Sequence, residues 1–94
     1  MTFSTFKESL SANEPPQPAS VYLMALWYDA KGQWDKAHKL IQDVEDKDAA
    51  WIHAYLHRKE GDIGNADYWY RHTEKKRPAV SIEKEWEDMV NAFI

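Results

Sequence analysis

The sequence predicts an all-α chain: two antiparallel helix hairpins, a short helix before them and a capping helix after them. Three observations carry this. The chain echoes itself, because Gly32-Gln-Trp-Asp-Lys-Ala37 returns as Gly61-Asp-Ile-Gly-Asn-Ala66 at a spacing of 29. Each copy reads glycine, polar, bulky apolar, two further residues, alanine, and a bulky apolar residue (Ile41, Tyr70) stands four places after each alanine. A unit repeated at fixed period usually cannot bury its own apolar face and stacks on a neighbour. Apolar residues also recur at helical spacing, most clearly in Ile82, Trp86, Met89, Val90 and Phe93. Finally, glycine, proline and capping residues fall between these periodic stretches, where helices start and stop.

Ninety-four residues make one domain, 1–94, with a single modest core. The apolar fraction of 44% is that of an ordinary globular protein. The absence of cysteine excludes disulfides and thiolate metal sites and suits a reducing compartment. A net charge of −4 argues against nucleic acid as a partner. The first residues lack the apolar core of a secretory signal, and the apolar run Val21–Tyr28 is too short to span a bilayer. The expectation is a cytoplasmic protein with no membrane contact.

Residues 1–18 form an N-terminal segment. Phe3, Phe6 and Leu10 lie at helical spacing over 3–11, with Thr2 or Ser4 as cap. So short a helix is marginal alone and must dock. Asn13–Pro18 holds three prolines and reads as a stiff extended connector.

The first hairpin spans 19–46. Its opening helix starts near Pro18 and ends at Lys31, with Gly32 supplying the left-handed stop. Val21, Met24, Ala25 and Tyr28 form one stripe, and Leu23, Leu26 and Trp27 make the rest apolar, so this helix needs cover on several sides. The returning helix spans Trp34 to Glu45, with Trp34, Ala37, Ile41 and Val44 inward. The second hairpin spans 48–78. Asp48 caps a helix over 49–60, Gly61 ends it, and Asp62 caps a helix over 63–76. Gly64 costs about 1 kcal/mol against alanine in that helix, a cost that suggests close helix approach. Arg71, Lys75, Lys76 and Arg77 gather at its end, and Pro78 closes the unit. Over 81–94 the capping helix starts at Ser81, with Glu83, Glu85, Glu87 and Asp88 on its wet side.

These residues resemble the tetratricopeptide (TPR) repeat, whose pattern is W-x₂-L-G-x₂-Y…A-x₃-F…P over 34 residues. Val21, Met24, Ala25 and Tyr28 stand at the first four places of one copy, with Ala37 and Ile41 at the next two. Ala50, His53, Ala54 and His57 open the second copy, followed by Ala66, Tyr70 and the closing Pro78. The period is five residues short, the tryptophan is missing from both copies, and only two repeats are present. The run Trp51–His72 also looks like one carried by small bacterial proteins of unassigned function. The TPR likeness implies a non-catalytic protein–protein interaction module. Its protein or peptide partner would lie in an aromatic-lined groove built from Tyr22, Leu26 and Asp29 of one repeat and Trp51, Tyr55, Arg58 and Lys59 of the other. Three occupants compete for that groove: a partner, a second copy of the chain in a homodimer, and Phe3, Phe6 and Leu10 of the same chain. Self-occupation is preferred, because the open patch would be large for a monomer.

The rival reading is a small metal- or ligand-binding enzyme built on His53 and His57, assisted by Arg58 or Glu60. Residues four apart share a helix face and can chelate one ion. A site needs further ligands, and the spacing of His38, Glu60, Asp67 and His72 does not make them converge. Two histidines hydrogen-bonded between helices is the preferred account, so no metal and no cofactor is expected. Tyr68, Trp69 and Tyr70 point about 100° apart and cannot form one stacking platform. Tyr70 is expected in the core and Trp69 against the last helix. Asp43–Asp48 lacks the glycine and the closing glutamate of a calcium loop.

Overall fold

A computed structural model describes all 94 residues, and the chain is helical with no strand. The helices are α1 (Phe3–Glu8, continued by a 3₁₀ turn over Ser9–Ser11), α2 (Val21–Ala30), α3 (Trp34–Ile41), α4 (Lys47–Lys59), α5 (Ile63–His72) and α6 (Ile82–Phe93). No helix is long and apolar enough to cross a membrane.

Side-chain caps set most of the starts. The hydroxyl of Thr2 accepts from Thr5 N, that of Ser20 from Leu23 N, and that of Ser81 from Lys84 N. The carboxylates of Asp46 and Asp62 do the same for Ala49 N and Asn65 N. Each satisfies an amide that the first turn leaves without a partner. Four boundaries differ from expectation. Ser20 starts α2 in place of Pro18, and Asp46 starts α4 in place of Asp48, because these two carry the capping oxygens. Helix α3 stops at Ile41, four residues early. The acidic run Asp43, Glu45, Asp46 would lie at its C-terminus, where the dipole disfavours negative charge. Helix α5 stops at His72, because Thr73 Oγ1 caps the Tyr70 carbonyl at 2.6 Å and Glu74 turns left-handed at φ 62°. Lys75, Lys76 and Arg77 therefore lie beyond the helix. Gly32 (φ 80°) and Gly61 (φ 89°) end α2 and α4 in the left-handed region that glycine enters without strain.

Consecutive helices α2–α3 and α4–α5 make the closest pairs, and α4 also touches α2, α3 and α6. Ala37 and Ala66, the alanines of the echoed segment, have no exposure, and neither do Ala25, Ala49 and Ala54. Methyl-sized side chains let the helix backbones approach. The larger core cluster joins Phe6, Leu26, Trp27, Ile41, Tyr55 and Met89. The smaller joins Ala54, Ala66 and Tyr70, with Trp51 and Trp69 against it.

Two side chains, one glycine and one helix depart from what the pattern implies. Glu85, expected on the wet side of α6, is 1% exposed. Trp69, expected against the last helix, stacks on His53 of α4 at 4.0 Å between ring centres. A methyl group on Gly64 would meet nothing within 4 Å, so close approach does not account for that glycine. Helix α6 does more than close an end: it lies against α2 and α4 and meets α1.

Candidate functional site

The seven expected groove residues separate into two groups. Tyr22, Leu26, Trp51 and Arg58 are engaged by α6 and the turn before it. Leu26 is fully buried, and its carbonyl accepts from Trp86 Nε1 at 3.0 Å. The Phe93 ring lies between Tyr22, stacked at 5.2 Å, and Trp51, edge-on at 5.9 Å. Arg58 donates to Glu85 Oε1 at 2.8 Å and to the Val80 carbonyl. Over this half the groove is closed from within the chain. The main occupant is α6, where Phe3, Phe6 and Leu10 were expected; Phe6 instead packs on Trp86 at 6.0 Å. The reason is chemical: α6 brings a longer apolar stripe, and its Glu85 meets three donors, Arg58, Trp51 Nε1 and the Tyr70 hydroxyl.

Asp29, Tyr55 and Lys59 form the second group. They line a cleft of about 470 Å³ that remains between α1 and α6. Its apolar walls are Phe3, Ile82 and Trp86, and its rim carries both signs of charge, Lys7 and Lys84 beside Glu83 and Glu87. The Tyr55 hydroxyl donates to Asp29 Oδ2 at 2.7 Å and Lys59 Nζ to Oδ1 at 3.0 Å. Burial, and then the Asp29 carboxylate, push the Tyr55 hydroxyl far above its ordinary pKa, so it stays a donor. Asp29 and Tyr55 are each 2% exposed and form the floor, while Lys59, with its side chain 38% exposed, pairs with Asp29 from the rim.

On the other side of α4, three histidines converge. His53 and His57 lie one turn apart on α4, and His38 of α3 meets both, with ring centres 4.7 Å and 5.3 Å away. His38 Nε2 is 3.0 Å from His53 Nε2. The expectation that His38 would not converge on the pair is thereby corrected. Glu60 also joins, accepting from His57 Nδ1 at 2.6 Å. Asp67 does not, being paired with Arg77 at 3.0 Å. His72 bonds the Tyr68 carbonyl and shares with His53 the wall of a separate cleft between the 42–47 link and α5. Trp34 stacks on His38 at 4.9 Å and 9°, and Trp69 on His53, so indoles fix two of the imidazole planes. Burial, and then the neighbouring imidazoles His38 and His57, push His53 down to about 4. His38 is lowered by burial and by His57. Both rings are uncharged at neutral pH.

One signal in the sequence bears on His38. It follows Ala37, the alanine of the echoed segment, and so lies beside the position that faces the next helix pair. Comparison with protein-family models, curated proteins and solved structures finds no match to this chain.

Proposed function

We propose that this chain is a non-catalytic protein-interaction module, built from two TPR-like helix pairs, that takes a short peptide in the cleft between α1 and α6. The observation that carries the reading is the survival of this cleft over Asp29, Tyr55 and Lys59, three of the residues the repeat register assigns to the binding face. Its volume is that of an ordinary ligand pocket. Phe3, Ile82 and Trp86 offer an apolar seat, and Lys59 and Lys7 offer ammonium groups beside it. The N-terminus of α6 ends there too and favours negative charge. The occupant that fits is a peptide with one large apolar side chain next to a carboxylate. The cysteine-free composition and the resemblance of Trp51–His72 to runs in small bacterial proteins favour a bacterial cytoplasm as its setting.

Panning a random peptide library on the full chain tests this. Selected peptides are expected to carry the apolar–acidic pair, to shift amide signals of Ala30, Lys59 and Ile82, and to lose binding with Lys59→Glu. Binders that shift only α3 and α5, or a peptide-free dimer with these residues at its interface, would overturn the reading.

A further inference from the structure

The histidine cluster is not absorbed by that function. We propose that His38, His53 and His57 form a binding site for one late first-row divalent metal ion, zinc being the type, with Glu60 as the positioning residue for His57.

The ligand atoms are already gathered. One nitrogen from each ring lies within 4.8 Å of the others. Two imidazole nitrogens on one tetrahedral zinc, each at its usual bond length, stand about 3.3 Å apart. The His38–His53 nitrogens are at 3.0 Å, so an ion between them needs only a small outward turn of each ring.

The cluster is also in the right chemical state. A metal ligand must offer a lone pair, and a protonated imidazole has none. His38 Nε2 and His53 Nε2 face each other at hydrogen-bond distance, which requires that one of them already presents a lone pair to the other. His57 donates Nδ1–H to Glu60, which leaves its lone pair on Nε2; Asn65 Nδ2 donates to that nitrogen at 3.3 Å, and a bound ion would take the place of this amide. A carboxylate behind a ligating imidazole fixes the tautomer and raises the basicity of the ligand nitrogen. The rings are held before any ion arrives: Trp34 and Trp69 stack on two of them, and α4 supplies two of the three from adjacent turns. An all-imidazole set suits zinc, copper and nickel over magnesium and calcium, which prefer oxygen. Three protein ligands leave one tetrahedral position for water or an outside ligand.

Without an ion, His38 and His53 share one imidazole hydrogen bond, and His57 is bonded to Glu60 and Asn65. The metal reading and the hydrogen-bond reading make different predictions.

The test uses the full chain, free of any affinity tag and stripped with a chelator. Zinc chloride is titrated in calorimetry, and cobalt(II) chloride is followed by visible absorption. One zinc per chain is expected, with the intense cobalt bands of tetrahedral coordination. His38→Asn changes a half-buried ring and should remove stoichiometric binding while keeping the helical circular dichroism. Glu60→Gln should weaken zinc by roughly 10–100-fold and shift the cobalt bands, as loss of an outer partner does. Should His38→Asn fail to fold, the wild-type chain decides: calorimetry must give one zinc per chain, and the melting temperature must climb with the logarithm of free zinc. A wild-type chain that takes up no stoichiometric ion, or a His38→Asn chain that binds as tightly as wild type, would overturn the proposal.

Discussion

Arg58 of α4 and Glu85 of α6 form an ion pair of 2.8 Å in which the carboxylate is 1% exposed and the guanidinium 15%. Glu85 also accepts from Tyr70 and Trp51, so one buried carboxylate ties α6 to both helices of the second pair. A buried pair is a modest net stabiliser, but removing one partner strands the other. Glu85→Ala is therefore expected to cost about 3–5 kcal/mol. Urea denaturation measures it, and a loss below about 1 kcal/mol would contradict the network. Lys84→Ala on the same helix removes only exposed pairs to Glu87 and Asp88 and should change stability little. The same logic makes Arg58→Ala a test of folding more than of binding.

Gly64 lies in the first turn of α5 with open space around it. Gly64→Ala should stabilise the chain by up to about 1 kcal/mol, since alanine is the better helix former and restricts the unfolded chain. For a domain of this size that raises Tm by roughly 4–8 °C per kcal/mol. Calorimetric scanning checks it, and an unchanged or lower Tm would point to a constraint at this position.

Phe93 wedges between Tyr22 and Trp51 near the C-terminus of α6. Each aromatic pair adds about 0.5–1.5 kcal/mol beyond area burial. Phe93→Ala should thus destabilise by about 1–3 kcal/mol and reopen the α2/α4 face. Raised binding of a hydrophobic dye by the folded variant would report that opening; an unaltered signal would show the face closed by other means.

His53 titrates near 4 when folded against an ordinary 6.5, and His38 is shifted the same way. The unfolded chain then binds protons that the fold refuses, so stability is present above pH 6.5 and falls as the pH drops toward 4. The slope is at most about 1.4 kcal/mol per pH unit for each histidine. Glu60 and Asp35 oppose the shift on His38, which keeps its share smaller. Measured in chelator, His53→Gln should flatten the profile in this window. Parallel profiles for the two chains would exclude His53 as the cause.

The parts legible in the chain are those with local causes. Helical periodicity and the Ser81 cap announced α6, and the two glycines before Gln33 and Asp62 announced the stops of α2 and α4, because spacing and backbone freedom are local properties. Caps were legible in type but not always in position. Asp46 and Asp48 are both credible starts, and only the bond from Ala49 N to Asp46 selects one. Burial of Ala37 and Ala66 followed from the echo.

The chain by itself therefore determined the helices, their order, and which small residues lie where backbones crowd. Tertiary structure alone decided the sites. Glu85 reads as a surface glutamate until Arg58, 27 residues away, is folded against it. His38 reads as a lone histidine until α3 is set across α4 and brings it 3.0 Å from His53. Periodicity assigns each residue to a face of its own helix, but the rotation and crossing of one helix on another come from packing across the whole core, which no single stretch of sequence contains.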